Sequence, residues 1–119
     1  MSGRHLLVRA GATVCALPVA AVRRVLQPLP LHPLPGAGPA LRGLAEYAGE
    51  PLPVLDLARL LGAPPGGAAP CPVTVVAWAG EGAGRELVGL AADAALAVVA
   101  ELPDGVEPFD LAALAGGRT

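Results

Sequence analysis

The side chains that could do chemistry are few and widely separated in this chain. The two histidines, His5 and His32, have no cysteine or carboxylate at the short spacing that a metal site requires. The two cysteines, Cys15 and Cys71, form no CxxC pair, and Ser2 is the only serine. The Asp and Glu residues are scattered as well. This pattern predicts no catalytic residue and no metal site, and therefore a binding protein rather than an enzyme.

A glycine-rich segment raises a further possibility, which is phosphate binding. The segment GEGAGR, residues 80–85, lies between the apolar stretches VTVVAWA and ELVGLAA. A phosphate loop would need Lys-Ser or Lys-Thr after its glycines, followed by a helix. Because a strand-like segment follows instead, the sequence predicts a simple hairpin turn and no cofactor.

The composition narrows the class of protein further. With 119 residues, 54% of them hydrophobic and only 3% aromatic, the chain can form one domain whose core consists of Val, Leu and Ala. The net charge is −2 and the arginines form no basic stripe, so no nucleic-acid partner is expected. No segment offers the roughly 20 unbroken apolar residues of a membrane helix. The sequence therefore predicts a soluble, cytoplasmic protein without direct membrane insertion, whose cysteines are buried thiols.

The first third of the chain predicts two strands, a short helix and a connector. Residues 5–17, HLLVRAGATVCAL, read as two strands joined by a turn at Gly11. The proline-rich segment 28–39 is either an extended connector or a ligand for another domain, and its internal position favours the connector. Between them, four apolar residues fall at helical spacing, which predicts a short helix: Val19, Val22, Val25 and Leu26.

Residues 41–56 have the pattern of a β-hairpin that leads into a helix. The segments LRGLAEY and PLPVLD flank the turn sequence Ala-Gly-Glu. Pro51 and Pro53 predict that the second strand lies at a sheet edge or begins irregularly, because proline cannot donate a ladder hydrogen bond. Asp56 is predicted to cap the helix LARLLG, which would end at Gly62. Asp56 is therefore interpreted as a structural residue rather than a catalytic one.

The chain contains a weak internal repeat. LPVLDLARLLG, residues 52–62, is echoed by EPFDLAALAGG, residues 107–117. Each segment has a proline, then Asp-Leu, then a short apolar run that ends in glycine. The intervening APPGGAA, residues 63–69, predicts a flexible break between two halves.

The segment that holds the first copy of the repeat also carries a family resemblance. LRGLAEYAGEPLPVLDLARLLG, residues 41–62, resembles the signature of the CheW-like domain, the coupling proteins of bacterial chemosensory arrays. Arg42-Gly43-Leu44, Gly49 and the run PVLDL, residues 53–57, carry the match. The order and spacing of the flanking segments extend the resemblance over residues 5–114.

This resemblance implies a mainly β fold. The expected architecture is a single domain over residues 1–119, with two small, intertwined SH3-like β-barrel lobes, a hydrophobic core between them and short helices. Lobe 1 would span about residues 5–62, the linker 63–71, and lobe 2 about 72–115. Residues 103–109 are too few for a hairpin that the family's second lobe usually has. Lobe 2 is therefore predicted to be truncated, with an open edge that either self-association or a strand of a partner would cap.

The resemblance also implies a function. The protein would be a non-catalytic adaptor that couples the cytoplasmic tip of a chemoreceptor to the regulatory domain of a CheA-type histidine kinase. The alternative is a divergent scaffold, or a self-associating structural module, that binds neither partner. The residues predicted to form the partner surface are Val22, Arg24, Gly43, Leu44, Ala48 and Gly49.

Two of these residues differ from the family pattern, and two have an alternative role. Arg24 stands where an acidic residue is usual, and Ala48 stands where an arginine is usual. Gly43 and Gly49 could instead be turn or close-packing glycines. Under the adaptor hypothesis, Gly43→Arg should abolish binding without unfolding the protein. Tyr47 is either an exposed anchor or a core residue, with the core favoured, and Trp78 is expected in the core.

Overall fold

The computed structural model describes residues 3–36, 38–62 and 72–114. Short hairpins dominate this part of the chain because tight turns separate its apolar segments. The predicted mainly β fold is confirmed, and the predicted linker 63–71 lies outside the described residues. The strands are β1 (His5–Ala10), β2 (Thr13–Pro18), β3 (Val22–Leu26), β4 (Leu41–Tyr47), β5 (Glu50–Asp56), β6 (Val73–Ala79), β7 (Glu86–Ala92) and β8 (Ala94–Val99). The helical elements are α1 (Leu57–Leu60) and three 3-10 turns (Val19–Ala21, Gly82–Gly84 and Leu111–Ala113).

The strands form two sheets. The smaller has three antiparallel strands in the order β2-β1-β8, and the larger has five in the order β3-β6-β7-β5-β4. The three predicted hairpins, β1–β2, β4–β5 and β6–β7, are all present, and the last contains the GEGAGR turn. Strand β5 runs parallel to β7, whereas the other paired strands are antiparallel.

The two halves of the chain exchange strands. Strand β3 follows β2 in sequence but pairs with β6, and β8 follows β7 but pairs with β1. In the same way, β5 lies parallel to β7, and Pro108 makes a parallel bridge to Ala16 of β2. Each sheet therefore contains strands from both sides of residues 63–71. The halves are intertwined, and the assignment of lobes to residue ranges stays a prediction.

The internal repeat has a structural counterpart. The Asp56 carboxylate accepts a hydrogen bond from the backbone N–H of Arg59 at 3.4 Å, which confirms its predicted capping role. The Asp110 carboxylate accepts one from the N–H of Ala113 at 3.2 Å. The leucines that follow, Leu57 and Leu111, are 0% and 3% exposed and belong to the same core cluster. Each copy of the repeat thus forms a capped helical turn that places one leucine in the core.

The main core lies between the two sheets. It includes Leu6 and Leu17 from the smaller sheet and Leu55, Val75 and Leu90 from the larger one. A second cluster lies on the opposite face of the larger sheet. Because strands β6 and β7 contribute to both clusters, they are buried on both faces, which explains their nearly continuous apolar sequences.

The predicted burial of the thiols is confirmed for Cys15. Its side chain is 3% exposed and is not part of a disulfide. Burial raises the pKa of the Cys15 thiol to about 11, so the nucleophilic thiolate is scarce at neutral pH. Cys71 lies outside the described residues.

The predicted helix around Val22 is wrong. Val19–Ala21 forms a 3-10 turn, and Val22–Leu26 is strand β3, which pairs with β6. The register shifts between Val22 and Arg24, so that Arg23 is an extra residue in the ladder. Because this bulge interrupts the two-residue alternation of a strand, the apolar spacing resembles that of a helix.

Of the two alternatives predicted for β5, an edge position or an irregular beginning, the first does not hold for the strand as a whole. Strand β5 lies between β4 and β7, and the two edges of the larger sheet are β3 and β4. The parallel pairing with β7 begins at Val54, after Pro51 and Pro53. The part of β5 that holds the prolines therefore has only β4 as a neighbour, which explains how both prolines fit an interior strand.

Candidate functional site

The six predicted partner-binding residues lie on or beside the two edge strands of the larger sheet. Val22 and Arg24 belong to β3, whereas Gly43 and Leu44 belong to β4. Ala48-Gly49 forms the tip of the β4–β5 hairpin. Three strands separate β3 from β4 in the hydrogen-bonded order. The structure thus divides the six residues into two groups.

The group on β4 borders a groove of about 490 Å³. Leu44 and Gly49 both line it, so the structure brings two of the predicted residues together there. Its volume is in the range of ligand and peptide side-chain pockets. The other residues that line the groove are His32, Ala45, Glu46 and Pro51.

The proline-rich segment forms one side of this groove. The His32 N–H donates to the Leu44 carbonyl at 2.8 Å, and the Leu44 N–H donates to the His32 carbonyl at 2.9 Å. These two bonds attach the segment to the outer edge of β4. The structure therefore supports the connector interpretation of this segment.

Gly43 is a close-packing residue. Its φ is +151°, and a Cβ atom at this position would lie 2.8 Å from the His32 carbonyl oxygen. A backbone oxygen cannot move away as a flexible side chain can, so any side chain here would separate the connector from β4. Gly43→Arg would therefore disturb the fold, and the expectation that it would act on binding alone is wrong.

Ala48 and Gly49 form a two-residue turn with positive φ at both positions. Ala48 has φ +52° and Gly49 has φ +80°, and Tyr47 pairs with Glu50 across the turn. This is the geometry of a type I′ hairpin, which prefers Asn-Gly. Ala48 is exposed, so a side chain at this position would be presented to a partner.

Replacing Ala48 by asparagine should raise the free energy of unfolding by about 0.5–1 kcal/mol, since asparagine tolerates the left-handed conformation better than alanine does. Urea denaturation of the two proteins would measure the difference. Ala83→Asn, at an exposed position without positive φ, is the control and should give no gain. An equal gain from both substitutions would mean that the turn is not its cause.

The group on β3 is cationic and exposed. Arg23 and Arg24 are both exposed, whereas Val22 is half-buried against the main core. Strand β3 pairs with β6 on one side, and within residues 3–36, 38–62 and 72–114 no strand pairs with its other side. The exposed backbone and the two guanidinium groups favour an acidic partner surface at this edge.

The family model of the CheW-like domain matches residues 4–115, nearly the whole chain. The chain belongs to the CheW-like domain family. CheW-like domains are non-catalytic scaffolds, in agreement with the prediction from the sequence.

A solved structure shows the same fold. The scaffolding protein TtCheW from Thermoanaerobacter tengcongensis superposes with a TM-score of 0.72 at 19% sequence identity. The match covers 84% of this chain and 66% of that one, so this CheW-like domain spans about two thirds of the length of TtCheW. A comparison with curated protein sequences found no match.

The two halves of the chain differ in one element. In this CheW-like domain, the β4–β5 hairpin of the first half ends in Asp56-Leu57. The corresponding part of the second half, residues 100–110, has no strand, and it is attached to β2 by the bridge from Pro108 to Ala16.

The sequence interpretation missed a pair of residues on the β6–β7 hairpin. The Arg85 guanidinium lies 4.2 Å from the centre of the Trp78 ring. Trp78 is half-buried, so the expectation that it lies in the core is wrong. Tyr47 packs against the second cluster, in agreement with the core expectation. The hairpin register gives the signal that could have revealed this pair. Because Trp78 is opposite Leu87, Arg85 lies diagonally across from it.

Two classes of site are not found in the described ranges. No group of three or more His, Cys, Asp or Glu side chains there could hold a metal ion. In the same residues, no helix is both long and apolar enough to span a membrane.

Proposed function

We propose that this CheW-like domain is an adaptor that couples chemoreceptors to a CheA-type histidine kinase. CheW-like domains generally bind CheA and chemoreceptors, which is the basis for naming these two partners. The observation that carries the proposal for this chain is the exposed, cationic edge of β3, with Arg24 on a strand that is unpaired on one side within the described residues. A solvent-exposed strand edge without a regular neighbour is a natural protein-binding element.

The second group of residues supports the proposal in a different way. Leu44 and Gly49 line the groove beside the hairpin tip, where an apolar side chain of a receptor helix would fit. Glu46 is exposed at the same groove and would contribute a polar rim. The adaptor would therefore hold its partners through a cationic strand edge and an apolar groove.

The test is a binding titration of the purified protein against the regulatory domain of the CheA-type kinase and the receptor tip from the same cell. We expect Arg24→Glu to weaken binding to the kinase domain at least about tenfold, because the substitution reverses a charge at the contact. Arg9→Glu makes the same change of charge at an exposed position in the smaller sheet and serves as the control. It should change the affinity less than about twofold.

The alternative is a divergent scaffold that binds neither partner. Relative to the family pattern, Arg24 replaces an acidic residue and Ala48 replaces an arginine. These two differences favour the divergent scaffold. If the wild-type protein binds neither the kinase domain nor the receptor tip, the scaffold is the correct function. If it binds but Arg24→Glu has no effect, the adaptor stands and its contact surface is elsewhere.

A further inference from the structure

Strand β8 presents an unusual edge. It pairs with β1 on one side, and among the described residues no strand pairs with its other side. Three consecutive residues, Leu96, Ala97 and Val98, are exposed. Leu96 is 50% and Val98 is 53% exposed, the highest values for large apolar side chains in the described part of the chain.

The other sheet edges are protected. The outer edge of β2 is bonded to a later segment, since Ala16 donates to the Glu107 carbonyl at 3.2 Å and accepts from the Phe109 N–H at 2.8 Å. The edge of β4 is bonded to His32. The edge of β3 carries two arginines. Covering segments and charges of this kind are how proteins prevent unwanted strand pairing.

Strand β8 has no covering segment in the described part of the chain and no charge, and its ladder with β1 is interrupted only at Leu96, an extra residue between the pairs Leu7–Ala97 and Val8–Ala95. Its sequence, AALAVV, has no charge and no proline, and the nearest charged residues are Asp93 and Glu101 on either side of it. The Asp93 carboxylate is itself bonded to the Gly11 N–H in the β1–β2 turn. The strand is therefore suited to pairing with another uncharged strand.

The comparison of β3 with β8 indicates which uncharged strand could pair with β8. Both strands follow a hairpin and pair with the first strand of the other half, so they occupy equivalent positions. Two β3 strands pairing side by side would bring their arginines together, and like charges at that distance are unfavourable. Two β8 strands would bring only apolar side chains together. The uncharged edge is self-complementary, which is what a two-fold symmetric contact requires.

We propose that β8 pairs antiparallel with β8 of a second copy of the chain across a two-fold axis. With Ala97 at the axis, the Ala97 residues of the two copies would lie directly opposite one another, beside the bulge at Leu96. The two three-stranded sheets would then join into one six-stranded sheet in the order β2-β1-β8-β8-β1-β2. The pairing satisfies the outer backbone groups of β8 and buries its exposed side chains.

Sedimentation velocity of the full chain tests this contact without any kinase or receptor, so its outcome is independent of the adaptor proposal. At roughly 100 µM, we expect a species of twice the 11.7 kDa chain mass. Val98→Glu should shift the dimer dissociation constant upward at least about tenfold, because it places two like charges near the axis. Val25→Glu makes the same change on the β3 edge, where the valine is 43% exposed, and should leave the dimer intact. Circular dichroism would confirm that both variants are folded.

A cross-link provides the second measurement. In a Cys71→Ser background, Ala97→Cys should form a disulfide-linked dimer on mild oxidation, because directly opposed residues of neighbouring strands lie within reach of one another. Val25→Cys in the same background should not. A wild-type protein that is monomeric at roughly 100 µM would overturn the proposal. So would a dimer that survives Val98→Glu, or one that cross-links through position 25 instead of 97.

Discussion

Replacing Gly43 by alanine should lower the free energy of unfolding by about 2–4 kcal/mol, although the change adds a single methyl group. The added Cβ atom would lie 2.8 Å from the His32 carbonyl oxygen, and φ at this position is +151°. Alanine would therefore strain the backbone of β4 and force the connector away from it. Both hydrogen bonds between His32 and Leu44 would be weakened at the same time.

Urea denaturation followed by circular dichroism would measure this effect. Gly84→Ala is the matched control, because Gly84 has no positive φ and a Cβ atom there meets open space. The control should change the free energy of unfolding by less than about 0.5 kcal/mol. If Gly43→Ala is as mild as Gly84→Ala, the close approach of His32 to β4 does not exist in solution.

Replacing Leu57 or Leu111 by alanine should each cost about 2–5 kcal/mol of stability. The two leucines are 0% and 3% exposed and lie in the core between the sheets. Removing either side chain leaves a cavity among neighbours from both sheets. The result for Leu111 is the more informative of the two. A large loss of stability in Leu111→Ala would show that the second copy of the repeat is as integral to the fold as the first.

Leu34→Ala is the control for both variants, since Leu34 is 42% exposed in the connector and outside both core clusters. Its substitution should change the stability by less than about 0.5 kcal/mol. A Leu111→Ala protein with the stability of the Leu34→Ala protein would mean that the turn Leu111–Ala113 does not pack on the core in solution.

Local features of the fold could be predicted from the sequence. The three hairpins followed from glycine-containing turns between apolar segments, such as Gly11 and Ala48-Gly49. The cap at Asp56 followed in the same way. These signals involve residues that are close together in the chain, so their physics is visible in a short window of sequence.

The features that were missed depend on distant residues. Strand β3 resembled a helix because its pairing with β6, including the bulge at Arg23, involves a segment about fifty residues away. Strand β5 became an interior strand through its parallel pairing with β7. At the candidate site, no local signal shows that the His32 carbonyl approaches Gly43.

The exchange of strands between the two halves has a consequence for synthesis of the protein. Strand β1 leaves the ribosome well before its partner β8, which ends at Val99. Leu111, which completes the core, emerges later still. Neither half can close its sheet alone, so the nascent chain carries unpaired strands until β8 has been made. Folding is therefore a late event dominated by long-range pairing, which is slow and leaves apolar edges exposed to chaperones in the meantime.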